Sequence, residues 1–285
     1  MDHEFCEAAS VKIIGETIMS RRTVIAGSVA AVATAAVGKT ASGAAVVPAV
    51  ADPVIELRQY KLNTGRRDAF ITLFDREFVD SQEKLGMRLL GQFRDMDDPN
   101  RFTWIREFPT MAGRAASLTE FYTGPLWLAH RNEANSMIDD NDNVLLLKPS
   151  AEGLGFRPVE RRLGQPAKSG FMVATVHYLW KAPKEGFSPF FETSGRSALE
   201  RAGARVLGSY IGENRPNEFP RLPVRQGEKV FVWFTHVDSM ADYERAMSAL
   251  RGRAAVKRGS QMLMPDLEER PAQVLRLKST PRSRL

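Results

Sequence analysis

The sequence predicts an α+β fold: two tandem ferredoxin-like repeats, each β-α-β-β-α-β, whose sheets pack face to face as an α/β barrel. Three recurrences carry this expectation. Leu85-Gly-Met-Arg-Leu-Leu-Gly-Gln-Phe93 is answered by Ala202-Gly-Ala-Arg-Val-Leu-Gly-Ser-Tyr210, with two glycines, an arginine and a leucine at the same spacing. Phe102-Thr-Trp104 returns as Phe231-Val-Trp233, and Met-Ala follows seven residues after each Trp. Val144-Leu-Leu-Leu-Lys148 and Val274-Leu-Arg-Leu-Lys278 then close the two copies.

Each element of the first copy has a local reason. Val54-Ile-Glu-Leu-Arg-Gln-Tyr60 alternates as a strand does, with Ile55 and Leu57 on one face and Glu56, Arg58 and Tyr60 on the other. From Arg66 to Leu85, Phe70, Leu73, Phe74, Phe78 and Leu85 recur at helical spacing, and Gly86 is placed to cap the end. Strands follow at Arg88 to Arg94 and Arg101 to Phe108, joined by the Asp97-Asp-Pro-Asn100 turn. A second helical stretch runs from Met111 to Ile138, broken at Gly124-Pro125, before the strand Val144 to Lys148. The second copy repeats the plan: strand Met172 to Trp180, helix Phe187 to Ala202, strands Arg205 to Ile211 and Lys229 to His236, helix Met240 to about Lys257, strand Val274 to Lys278. It departs at Gly212 to Gly227, an inserted loop rich in Pro, Arg and Asn. Such a half-sheet is apolar on both faces, so the two are expected to cover each other. The resulting division is a leader over 1–51, a first repeat over 52–150, a linker over 151–170 and a second repeat over 171–285.

The front of the 285-residue chain differs from the rest. Ser20-Arg-Arg-Thr-Val-Ile25 puts Arg21 and Arg22 before an Ala-rich run, Val24 to Val37, and Ala49-Val-Ala51 offers a small-x-small cleavage site. The pattern resembles a twin-arginine export signal, with the twin-arginine translocase as partner and a periplasmic or secreted destination. The run is too short for the roughly 20 residues of a membrane span. Asp2, Glu4, Glu7 and Glu16 occupy the place where positive charge is expected, so Met19 is the more natural initiator and cleavage is expected after Ala51. The one cysteine, Cys6, precedes that start, which excludes a thiol nucleophile, a disulfide and a thiolate metal site from the mature chain.

The net charge of +6 comes from no long basic run. A nucleic-acid groove needs a basic stripe interleaved with stacking aromatics, so nucleic acid is not expected as a partner. Phosphate-binding glycine loops, a Gly-x-Ser-x-Gly elbow and a His-Glu-x-x-His helix are all missing from the sequence, leaving hydrolytic and nucleotide-dependent classes without support.

A family resemblance emerges from Glu56-Leu-Arg58-x-Tyr60, Gln82-x-x-x-Gly86-Met87, Gly91-Gln-Phe93-Arg, Asp98-Pro-Asn-Arg-Phe102-x-Trp104-x-Arg106, Phe121-Tyr-x-Gly-Pro125-x-Trp127-x-x-His130-Arg131-x-x-Ala134-Asn135 and Asp142-Asn-Val-Leu-Leu-Leu147. Together these resemble the NIPSNAP family of the dimeric α/β-barrel superfamily, over Val54 to Pro149. The second copy is degenerate and lacks the Trp-x-x-His-Arg segment. The resemblance implies a small-molecule-binding or protein-interaction role without an established catalytic mechanism. Barrel relatives imply two alternatives: a cofactor-independent oxygenase or isomerase, or a haem-binding protein. No cofactor is otherwise expected. Two repeats in one chain already supply both sheets, so monomer and homodimer both stay open.

Two places are candidates for a site. On the second helical stretch, Trp127, Arg131 and Ala134 share one face at about 100° per residue, flanked by His130 and Asn135. Such a helix suits a carboxylate or enolate ligand, with His130 as base and Arg131 as anchor in the enzymatic alternative. The competing reading makes Trp127 core and pairs His130 and Arg131 with neighbours. On the strands, Arg58, Tyr60, Trp104 and Arg106 face one space, a lining suited to a planar anionic or aromatic ligand. The competing reading is a surface network of Arg58 with Glu56 or Arg106 with Glu107, or contacts across the barrel seam. His177, aligned with Arg58, and His236, aligned with Glu107, are the haem-ligand alternatives. No metal site is expected, and Asp139, Asp140 and Asp142 read as a helix-ending turn rather than a calcium loop.

Overall fold

The alternating stretch at Val54 forms β1 (Val54–Leu62) in a computed structural model that describes residues 52–157, 169–256 and 267–285. The expected leader, much of the linker and the end of the last helix lie outside the described residues. After β1 come α1 (Arg67–Leu73), a π turn (Phe74–Phe78), α2 (Val79–Lys84), β2 (Arg88–Asp95), β3 (Arg101–Phe108), α3 (Met111–Thr123), α4 (Pro125–Met137), a short β4 (Ile138–Asp140) and β5 (Val144–Pro149). The second half holds β6 (Phe171–Leu179), a 3-10 turn (Pro183–Glu185), α5 (Phe187–Phe190), a π turn (Phe191–Gly195), α6 (Arg196–Arg201), β7 (Arg205–Gly212), β8 (Val230–Val237), α7 (Met240–Val256) and β9 (Glu268–Ser279).

The helix break at Gly124-Pro125 stands where the sequence puts it, because Pro125 opens α4 without needing an amide partner. Thr110 caps α3, its hydroxyl accepting from the Gly113 N–H at 3.0 Å. Two features were not legible. β4 replaces the expected turn at Asp139 and Asp140, and β9 starts six residues before Val274.

Strand order is β3-β2-β9-β6-β8-β7-β5-β1, with β3 pairing back to β1, so eight antiparallel strands close into a barrel and β4 adds to β1 outside it. The first half contributes the order β5-β1-β3-β2 and the second β9-β6-β8-β7. They meet at two seams, β2 with β9 and β5 with β7. Inward residues of both halves form one apolar core: Ile55, Leu57, Phe93, Ile105 and Leu145 against Met172, Val176, Val232, Phe234 and Leu277. Each outer sheet face has its own helix layer and core. Among the described residues no helix is long and apolar enough to cross a membrane.

The repeated glycines have two separate causes. Gly86 and Gly203 end their helices with φ of 80° and 96°, the left-handed cap that side chains resist. Gly91 and Gly208 instead sit beneath a ring two residues on. A Cβ on Gly91 would lie 2.3 Å from the Phe93 ring, and one on Gly208 would lie 3.1 Å from Tyr210. The motif Gly-x-aromatic thus folds a large core ring over its own backbone. Gly91→Ala is expected to destabilise the chain by about 1–3 kcal/mol, since the added methyl would overlap the wholly buried Phe93 ring; equilibrium urea unfolding would measure it.

Candidate functional site

The side chains of β1 that alternate away from the barrel interior are Glu56, Arg58 and Tyr60. In the antiparallel register with β3, Glu56 lies opposite Arg106, Arg58 opposite Trp104, and Tyr60 opposite Phe102. The helix layer then closes over them. This polar face is therefore neither an open lining nor a surface network: Glu56, Arg58 and Arg106 are wholly buried, as is Arg114 from the first turn of α3.

One carboxylate gathers three guanidiniums. Arg58 Nη1 donates to Glu56 Oε2 at 2.9 Å, Arg106 Nε to the same oxygen at 2.7 Å, and Arg114 Nε to Oε1 at 2.7 Å. Arg106 Nη1 also donates to Gln82 of α2 at 2.7 Å, and Arg58 Nε to the Tyr60 hydroxyl at 3.1 Å. The Arg106 guanidinium lies 4.9 Å from the Trp104 ring centre, and that of Arg58 lies 5.3 Å from Tyr60, so aromatic faces take up part of the positive excess. Burial alone would raise the Glu56 pKa, but the attraction of Arg106, Arg58 and Arg114 outweighs it and holds the carboxyl well below the usual carboxylate range. Burial pushes the Tyr60 phenol up to about 12, so it stays neutral. The Nη2 of Arg58 has neither an acceptor nor an ion-pair partner among the described residues.

The cover comes from the other half. Asn217, in the Gly212–Gly227 insertion, accepts from Arg114 Nη1 at 2.9 Å, and Phe219 stacks on Tyr122 at 5.8 Å. Phe219 and Leu222 thereby join the core of the first half.

Arg58, Tyr60, Trp104 and Arg106 are thus brought together. Arg106 pairs with Glu56, while Glu107 pairs with Arg88 instead. Gln82, Arg114 and Asn217 complete the cluster without having been picked out as site residues. Arg114 did carry a signal, since it falls between Met111 and Leu118 on the buried stripe of α3. Asn217 carried none, because an inserted loop has no periodicity to reveal its contacts.

The α4 candidates are spread out. Trp127 is packed between Phe78 at 5.6 Å and Tyr122 at 4.8 Å. His130 is part-buried, its Nε2 3.5 Å from Glu77 and Nδ1 3.8 Å from Glu133. Arg131 and Asn135 lie part-exposed along the same helix.

The second half has the same strand register without the charges. Val173 lies opposite Thr235 where Glu56 faces Arg106, and Thr175 opposite Trp233 where Arg58 faces Trp104. His177 lies opposite Phe231 as Tyr60 lies opposite Phe102, so His177 matches Tyr60 rather than Arg58. Its ring packs 4.4 Å from Trp233 and 4.6 Å from Phe187, with Nδ1 on the Glu268 carboxylate. His236 holds the Ser169 carbonyl at 2.9 Å. Among the described residues no three His, Cys, Asp or Glu side chains group closely enough to hold a metal ion. Asp139 pairs with Lys61 at 2.8 Å, and Asp140 accepts from the Asp142 N–H.

Fold and cluster together define an α/β-barrel protein with a charged cluster on the outer sheet face of its first half. Residues 55–151, the half that holds the cluster's strands, match the NIPSNAP family model. None of the curated proteins matches the chain. Among solved structures, a candidate monooxygenase from Fusobacterium nucleatum subsp. nucleatum ATCC 25586 is 11% identical with a TM-score of 0.54, over 80% of this chain and 93% of that one. A second candidate monooxygenase, from Lactobacillus acidophilus NCFM, is 12% identical with a TM-score of 0.51, over 80% and 94%. A NIPSNAP family protein with unknown function from Agrobacterium tumefaciens str. C58 is 22% identical over 36% of this chain and 93% of its own, with a TM-score of 0.34. At these identities the first two show a shared barrel fold.

Two outcomes follow from the electrostatics. Glu56→Gln leaves the buried guanidiniums without a counter-charge and is expected to cost about 3–5 kcal/mol in denaturant unfolding; a loss below about 1 kcal/mol would mean that this carboxylate does not hold the arginines. Burial lowers the His177 pKa below its ordinary value, so the unfolded chain takes up the proton first. Stability from this group is complete above about pH 6.5 and falls as the pH drops toward the folded-state value. His177→Gln should flatten that part of the pH–stability curve.

Proposed function

We propose that this chain is a small-molecule-binding protein whose ligand is a planar organic anion received by Arg58, Arg106 and Arg114 beside Tyr60 and Trp104. One observation carries the reading: three fully buried guanidiniums face a single buried carboxylate, and Arg58 Nη2 is left without an acceptor. An uncompensated buried charge costs several kcal/mol, and an anion would offset that cost through charge-assisted hydrogen bonds. A carboxylate suits the guanidinium fork, and the faces of Tyr60 and Trp104 suit a flat ring. Entry requires the Gly212–Gly227 segment to lift, since Asn217 and Phe219 cover the cluster. In the enzymatic alternative the base is His130, whose neighbours are Glu77, Glu133 and Phe78 rather than the arginines; binding is therefore the reading favoured.

Two finer points belong to the same proposal. The halves are read as tandem copies of one ferredoxin-like unit, supported by their matching strand orders and repeated Gly-x-aromatic motif. Export through the twin-arginine route is supported by Arg21, Arg22 and the Ala49-Val-Ala51 site.

Native and denatured mass spectra of protein from the exported fraction should show a chain beginning at Asp52 and an acidic small molecule retained only natively. Benzoate, as a planar carboxylate probe, should raise the melting temperature of the wild type more than that of Arg58→Met. An empty native spectrum together with equal benzoate response in both proteins would overturn the binding reading, and an intact 1–51 segment would overturn export.

A further inference from the structure

The second half carries a separate cleft of about 400 Å³, within the range of small-ligand pockets. It lies between residues 153–157, α6, the start of β7 and His236 of β8. Phe156, Val206, Leu207 and Leu285 give it an apolar lining, and Arg157, Arg196 and Arg205 outnumber its one acidic side chain, Glu200. Its wall is fixed: Ser209 donates its N–H to the Leu154 carbonyl at 2.9 Å, and the Phe156 N–H reaches the Tyr210 hydroxyl at 2.6 Å.

The other half shows what this place lacks. On β2 and β3, Arg88 lies opposite Glu107 and the two form an ion pair. On β7 and β8, the matching register sets Arg205 opposite His236. The carboxylate is gone, and an imidazole, neutral or protonated, does not replace its charge. Arg205 has no ion pair among the described residues, nor has Arg157, whereas Arg196 is taken by Glu200 at 3.1 Å.

The flanking chain differs in the same sense. In the first half, the segment after β9 lies along β2, the Thr280 N–H donating to the Gln92 carbonyl as that of Ser150 donates to Ser209. There Arg282 and Arg284 are paired with Asp80 and Glu83 of α2. In the second half, the loop that lies along β7 gives Arg157 no ion pair among the described residues. The Leu285 main-chain oxygen is already held by the Ser279 and Ser283 hydroxyls.

We infer that this cleft is a second binding site, for a small carboxylate with an apolar body, in which the ligand supplies to Arg205 the carboxylate that Glu107 supplies to Arg88. Arg157 is the second contact for the headgroup, and Phe156, Val206 and Leu207 receive the apolar part. The site is independent of the buried arginine cluster on the first half.

Titration calorimetry of the full chain with octanoate, and with octan-1-ol as the uncharged counterpart, tests the inference. Octanoate should bind and octan-1-ol at least tenfold more weakly. His236→Glu rebuilds the internal pair of the first half and should weaken octanoate at least tenfold, with near-UV circular dichroism confirming the fold. Arg157→Ala, at an exposed position, should weaken it severalfold and guards against a folding defect in the first variant. Failure of octanoate to bind, or binding undiminished in both variants, would overturn the site. Binding lost in Arg58→Met and kept in His236→Glu would place the carboxylate at the buried cluster and equally overturn it.

Discussion

Neither half of this protein can bury the inner face of its sheet alone. Ile55, Leu57, Ile105 and Leu145 need Met172, Val176, Val232 and Leu277 across the barrel, and the reverse holds equally. Closure depends on two short seams, β2 with β9 and β5 with β7, where only a few residues of each strand pair. The interior is mostly committed to that shared apolar core, with Gln59 and Gln273 bonded to each other across it, and the charged chemistry lies at two kinds of place: the outer sheet faces beneath the helices, and the clefts beside the strand ends. Both the arginine cluster and the second-half cleft follow this rule.

The halves share a strand order and differ in their charges. Where the first half buries Glu56, Arg58, Arg106 and Gln82, the second has Val173, Thr175, Thr235 and Leu199, an ordinary core beneath α5 and α6. At the strand ends the bias reverses, because Arg88 has its carboxylate and Arg205 does not. In each half an arginine excess therefore stands in one place, and the two places do not correspond in strand register.

The inserted loop joins the two halves. It springs from the second half, yet Asn217 and Phe219 rest on Arg114 and Tyr122 of the first. The buried cluster is consequently a property of the whole chain. A first half alone would expose one side of a site whose charges were arranged for the dark.

Much of the fold was legible because it is local. Alternation set β1, helical spacing set the helices, Pro125 broke the second, and the glycine–aromatic motif marked β2 and β7. Of the site, Arg58, Tyr60, Trp104 and Arg106 could be read from alternation on two strands, but their burial could not, since strand periodicity says which face a residue takes and not what covers that face. His177 was set two residues from its true counterpart, because an alternating strand can slide by two residues without changing which side chains face in, whereas hydrogen bonding between strands fixes the register. The sequence by itself determined the strands, the helices and their apolar pattern, all of which act over a few residues. Only the tertiary structure decided that one carboxylate holds three arginines, that a distant loop seals them, and that Arg205 stands without its acid, because a charge balance is summed over space and not along the chain.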